Sequence, residues 1–206
     1  MTNQIVLRAP STSTGTIPDP SAFAPPPLSF LQGTWHVTHS TLPMWKQHRN
    51  VQITYTPLNP ISKSDKNFMT FAARGRSSLN RLDDLVRYQT LKSDKMKTVH
   101  GIDTANSIAE EAWNWRGRGI LALASSRWEV LGYGHEGTHA DGNQWVVTYF
   151  AKTIFTPIGV DVYSRSREGL AEKTIQSIKD ALDTISDPAL KELIGNLFKI
   201  ERDVQR

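Results

Sequence analysis

The chain has no cysteine, which removes disulfides and thiolate metal sites together. A secreted domain of this size often carries a disulfide, so the reading is a cytoplasmic protein. The opening MTNQIVLRAP lacks the long apolar core of a signal peptide. No run approaches the ~18 apolar residues that a membrane span needs, so no membrane partner is expected. Basic residues form no block: 24 Lys and Arg stand against 20 Asp and Glu, giving +4 spread along the chain. Without a basic patch, nucleic-acid binding is not expected. No glycine-rich phosphate loop precedes a helix, and no serine nucleophile arrangement stands out. Hydrophobic residues reach only 38%, so part of the chain lies outside any core.

What is present is tryptophan, six in 206 residues, a rich supply of large flat side chains for a core or an apolar pocket. The chain divides into three zones. Residues 1–27, with STSTGTIPDPSAFAPPP, have the composition of a disordered tail. From Leu28 to about Arg165, short segments alternate with a period of two. These are GTWHVTHS, NVQITYT, FMTFAARG, DLVRYQTL, MKTVHGI, AWNWRG, ILALASSRWEVLGYG, QWVVTYFAKT and GVDVYSRS. PLNPISKSDKN, RSSLNRLD, KSDK and GYGHEGTHADGN separate them as loops. Eight to ten strands with short connections predict antiparallel hairpins, enough to close a barrel. On the first, Trp35, Val37 and His39 share a face, which makes His39 the interior histidine and sends His36 outward. From about 168 to 206 the period becomes helical. Leu170, Ile175, Ile178, Leu182 and Ile185 form one stripe; Leu190, Leu193, Ile194, Leu197 and Phe198 form another. Asp187 as N-cap and Pro188 at the first helical position separate the two helices. Their stripes suit contacts against the barrel, with a homodimer as the alternative use.

HEGTHADG, residues 135–142, matches the zinc-protease pattern H-E-x-x-H-x-x-G. That chemistry needs His135 and His139 one helical turn apart on a helix. Glycines at 132, 134, 137 and 142 and strand patterns on both sides argue for a hairpin loop instead. The third ligand position falls on Trp145, which cannot bind zinc. No zinc protease and no metal site are expected.

Gly33-Thr34-Trp35, after the apolar run Leu28, Phe30 and Leu31, resembles the G-x-W signature of lipocalins and the wider calycin superfamily. The resemblance implies a mainly β fold, an antiparallel lipocalin-like barrel with Trp35 packed across one end. It also implies an arginine lying on that ring: Arg165 at the end of the last strand, or Arg167 beside it. Residues 28–206 would form this one domain. Two C-terminal α-helices exceed the usual lipocalin plan. Haem-binding relatives use a histidine late in the chain, and no histidine follows His139, so no cofactor is expected.

Such a barrel implies binding of a small apolar or aromatic molecule inside it. The alternative is a cofactor-free cyclase, isomerase or lyase of natural-product metabolism using the same cavity. Tyr88, His100, Trp113, Trp115, Trp128 and Tyr149 are the candidate ligand contacts. If Trp113 and Trp115 point outward, Asn114 and Arg116 point in. An enzyme needs an inward acid–base group, for which His100, Glu129 and Tyr149 are the candidates.

Overall fold

A computed structural model describes residues 5–11, 23–62, 78–106, 109, 111–137, 141–154 and 156–203. After a single turn, α1 (Leu28–Leu31), eight long strands follow in order. They are β1 (Gly33–Ser40), β2 (His48–Ser62), β3 (Ser78–Thr90), β4 (Ser93–Ala105), β5 (Ala112–Gly117), β6 (Ser125–His135), β7 (Gln144–Phe150) and β8 (Gly159–Ser164). Each pairs antiparallel with the next, and β8 and β2 both pair with β1, so the sheet closes on itself. Two helices follow, α2 (Glu172–Asp183) and α3 (Pro188–Ile194), and then β9 (Phe198–Lys199), which adds outside the barrel onto β1.

The expected alternation is present but reaches further than the loop residues suggested. PLNPIS belongs to β2 and SLNRL to β3. β1 begins opposite Tyr55, so this end of the β2–β3 ribbon projects beyond it. There the missing donor of Pro60 breaks no ladder, and a register shift between Leu58 and Ile61 absorbs the misfit. FMTFAARG lies outside the described residues.

Burial separates two cores. Trp35, Val37, Ile53, Tyr55, Leu82, Trp113, Trp128, Val130, Val146 and Tyr163 form a buried cluster on the inner face of the barrel. The outer face of β6, β7 and β8 carries the second, where Leu131, Trp145, Val147, Tyr149, Val160 and Val162 meet the helices. Ile175, Ile178 and Leu182 of α2 are buried there, as are Leu190 and Ile194 of α3. The stripes are therefore spent within the chain. Asp187 caps α3 as its spacing promised, accepting the Leu190 N–H at 3.1 Å. The second stripe is shorter than expected, because the helix stops at Ile194 and Phe198 enters β9.

Two local expectations need correction. A register shift between Val37 and His39 puts Thr38 and Ser40 in buried positions and turns His39 to the outer face opposite Val162. Residues 5–11, expected in an unordered tail, lie along β6. Arg8 N–H bonds to Leu131 O, and Leu7 and Ala9 are buried. Leu7 sits over Gly132, where an added Cβ would be 2.2 Å from its methyl.

Candidate functional site in the barrel lumen

One end of the barrel is built around Gly33, Trp35 and Arg165. Gly33 adopts φ +98°, and a Cβ there would lie 3.1 Å from the Arg165 guanidinium, so side chain and backbone both require glycine. Trp35 is fully buried and donates its indole N–H to Leu31 O at 2.8 Å. Arg165, not Arg167, lies over that indole, with Cζ 3.6 Å from the ring centroid. It also donates to Thr34 O, Phe30 O and Gln32 O, and its Nε to Gln144 Oε1. The fold is a lipocalin-like barrel. The β6–β7 connection that contains HEGTHADG lies at this same floor end, away from the opposite mouth.

That connection is no helix over its described residues. His135 ends β6, Gly137 bends at φ +78°, and residues 138–140, including His139, lie outside the described set. Glu136, the general base of the protease reading, is occupied structurally. It accepts from Asn143 Nδ2 at 2.9 Å and from the backbone N–H of Ala171, the residue that leads into α2, at 2.8 Å. His135 meets the Phe30 ring and the Gln144 amide. Among the described residues no cluster of three potential metal ligands forms.

The strand pairing fixes which candidates face the lumen. Trp113 and Trp115 point inward and sit opposite Trp128 and Ser126 of β6; Asn114 and Arg116 point out. Trp128 stacks on two rings, 5.6 Å from Tyr55 and 5.8 Å from Trp113, nearly parallel to both. Tyr88 also belongs to the inner cluster and packs edge-on against Trp45. Trp45 lies on the 3-10 turn Pro43–Gln47, between β1 and β2, and is buried.

Three candidates lie elsewhere. His100 pairs with Leu85, on the outer face, and its Nε2 is 2.8 Å from Asp83 Oδ1. Tyr149 is buried in the outer core. Glu129, opposite Tyr149, is on the outer face too. Its carboxylate accepts from Arg8, from the Ser11 backbone at 2.9 Å and from the Ser11 hydroxyl. Burial pushes its pKa up, but those hydrogen bonds from Ser11 and Arg8 outweigh burial and hold it low. Glu129 anchors the N-terminal segment rather than facing a ligand.

The lumen instead holds acids that the sequence reading missed. Asp84 of β3, Asp103 of β4 and Asp161 of β8 all face inward and are buried, as are Tyr55 and Tyr163. Asp103 Oδ1 accepts the Trp128 indole N–H at 2.8 Å, and Asp161 Oδ1 accepts the Ser40 hydroxyl at 2.5 Å. Burial pushes both carboxyls up to about 7, although these hydrogen bonds favour the ionised form. Asp84 is pushed well up by burial and then by the neighbouring Asp103, while the Trp115 indole opposes this. Burial raises Tyr55 and Tyr163 as well, so both stay neutral. Among the described residues, two carboxyl oxygens of the lumen are shut off from solvent without a hydrogen-bond partner, Asp84 Oδ1 and Asp103 Oδ2, while the Tyr163 hydroxyl lies by Tyr55 and Thr148 and the Trp45 indole N–H by Asp161 without well-formed bonds. A buried polar atom left unpaired costs roughly 1–3 kcal/mol, so a ligand that pairs with these atoms recovers that cost.

A signal for the acids did exist. Asp84 shares parity with Leu82 and Val86, and Asp103 with Val99 and Ala105; an acid on an apolar strand face marks a buried polar site. At the rim of the mouth, a cleft of about 370 Å³ has Trp115, Ser126, Leu123 and Ile154 in its wall. Exposed apolar side chains gather on the mouth-end connections: Met44, Leu91, Ile120, Leu123 and Ile154.

No protein-family model matches the chain. Among curated proteins it is similar to the botcinic acid biosynthesis cluster B protein 12 of Botryotinia fuckeliana (strain B05.10). The two are 27% identical over 199 residues, covering 94% of this chain and 82% of that one. Among solved structures it is similar to the siderocalin Ex-FABP, described as functioning through dual ligand specificities. Identity there is 11% and TM-score 0.46, over 84% of this chain and 91% of the other. No helix among the described residues is long and apolar enough to cross a membrane.

Proposed function

We propose that the lumen binds a small, uncharged, largely aromatic molecule of secondary metabolism that carries hydrogen-bonding oxygens. The observation that carries this reading is the Tyr55–Trp128–Trp113 stack, with the unpaired carboxyl oxygens of Asp84 and Asp103 in the same lumen. The rings supply contact area and the polar atoms supply orientation, the usual division in a small-molecule site. The inward described side chains include three carboxyls and no buried Lys or Arg, which disfavours a carboxylate ligand. The likeness to a protein named for a biosynthesis cluster supports the metabolic setting.

A cofactor-free enzyme of the isomerase or cyclase kind is the second reading. It is favoured by the protonatable carboxyls that face the stack. The binding reading is tested by saturation-transfer NMR with 2-acetonaphthone, a neutral aromatic ketone. Transfer is expected for the wild type and for Trp145→Phe on the outer wall, and lost in Trp128→Ala. Equal transfer in Trp128→Ala would remove the lumen from the account.

A further inference from the structure

We propose that Asp84 and Asp103 work as a proton-exchanging pair on a neutral carbonyl-bearing ligand, Asp103 as general base and Asp84 as general acid. The proposal rests on the lumen-binding reading and adds the chemistry. Register puts the two acids on one face of neighbouring strands: Asp84 is paired with Gly101, and Asp103 lies two residues further along β4. Gly101 has no side chain to separate them, and the Trp115 indole fills that place, 2.2 Å from where a Cβ would be. Each acid leaves one oxygen buried and unpaired, Oδ1 of Asp84 and Oδ2 of Asp103. A ligand group that both donates and accepts would pair with the two oxygens at once.

The environments assign the roles. The Trp128 N–H bonds to Asp103 and favours its carboxylate, while burial, and then the charge of Asp103, keep the proton on Asp84. Asp161 is engaged by Ser40, Tyr55 and Tyr163 stay neutral, and Asp83 on the outer face adds its negative charge to that of Asp103 in holding the proton on Asp84. Asp103 takes a proton from the carbon next to the ligand carbonyl as the Asp84 O–H gives its proton to the carbonyl oxygen. The C–H electron pair becomes the carbon–carbon double bond of an enol, leaving Asp103 protonated and Asp84 ionised. Asp103 then returns a proton to the same or a conjugated carbon while Asp84 takes back the enol O–H proton, which restores the carbonyl and the pair. Return to a conjugated carbon is an isomerisation, and return after the Asp103 proton has swapped with solvent is an exchange, with no oxidant or metal needed.

The test incubates the full chain with 2-acetonaphthone in deuterated buffer near neutral pH. Deuterium entering its methyl group is followed by proton NMR, with binding measured in parallel by saturation transfer. The wild type is expected to exceed the buffer rate by about 100-fold or more, the scale of positioned acid–base groups. Asp103→Asn and Asp84→Asn should each lose at least about tenfold with binding kept, and His100→Ala on the outer face should lose nothing. Ketone bound by the wild type but exchanged at the buffer rate overturns the acid pair and leaves the binding reading standing. No binding overturns both. Because the wild-type rate decides the matter, a variant that fails to fold does not shield the proposal. The infrared carboxylic-acid band adds a direct check: Asp84→Asn should remove part of the wild-type band at neutral pH, and an unchanged band also overturns the assignment of Asp84.

Discussion

Replacing Arg165 with methionine should destabilise the barrel while leaving most of the side chain's apolar stem on Trp35. The guanidinium lies 3.6 Å from the indole centroid and ties three carbonyls of the chain entering β1 to the end of β8. A desolvated cation–π contact contributes about 1–2 kcal/mol, and hydrogen bonds from a charged donor about 1.5–3 kcal/mol each. These bonds share one group and several are near solvent, so they do not add; a total of about 3 kcal/mol is expected. For a domain of this size that lowers Tm by about 6–12 °C. Calorimetry and denaturant titration, followed by tryptophan fluorescence, measure it. Arg165→Lys keeps the charge but cannot reach three carbonyls at once, so it should recover less than half of the loss. A methionine variant within about 1 kcal/mol of the wild type would refute the strut argument. Full rescue by lysine would show that the planar fork is not needed.

Four further outcomes follow from particular contacts. Asp161 is raised to about 7 by burial, so the folded state binds a proton that the unfolded chain has lost above ~4. Its contribution to stability is therefore lost as pH rises from about 4 through about 7, at up to ~1.4 kcal/mol per pH unit. Asp161→Asn should gain stability relative to the wild type across that window, and a constant difference would contradict the buried acid. His39 is lowered to about 4 by burial and by Lys179 and Arg202, which gives the opposite sign: stability is lost as pH falls from about 6.5 through about 4. His39→Gln should flatten that acid limb. Glu129→Ala unties Arg8 and Ser11, so limited proteolysis should cut the N-terminal segment faster while the barrel resists; unchanged protection would show that Leu7 and Ala9 suffice. Ile178→Ala, fully buried between α2 and the outer wall, should cost about 2–5 kcal/mol in denaturant titrations.

Much of the fold was legible because each signal was local. G-x-W needed only Gly33 and Trp35, the strand period needed a few residues, and Asp187-Pro188 announced the start of α3 without tertiary help. The misreadings arose where parity depends on partners far along the chain. One bulge beside Thr38 reversed His39, and burial on both faces of β6 and β7 hid the fact that Glu129 and Tyr149 face helices and the N-terminal segment. The N-terminal segment itself alternates, with Ile5, Leu7 and Ala9 on one face, but it is too short to stand out from a Pro-rich neighbourhood. The lumen acids were legible by parity in β3 and β4. They were passed over because charge in a strand reads first as solvent exposure.

Competition between a neutral ligand and its anionic counterpart tests the lumen account most directly. Native mass spectrometry of the full chain with equimolar 2-acetonaphthone and 2-naphthoate compares two ligands of like shape and opposite suitability. A one-to-one complex with the ketone, little with the carboxylate, and neither in Trp128→Ala is the predicted result. Preference for the carboxylate, or equal binding of the ketone by Trp128→Ala, would contradict it.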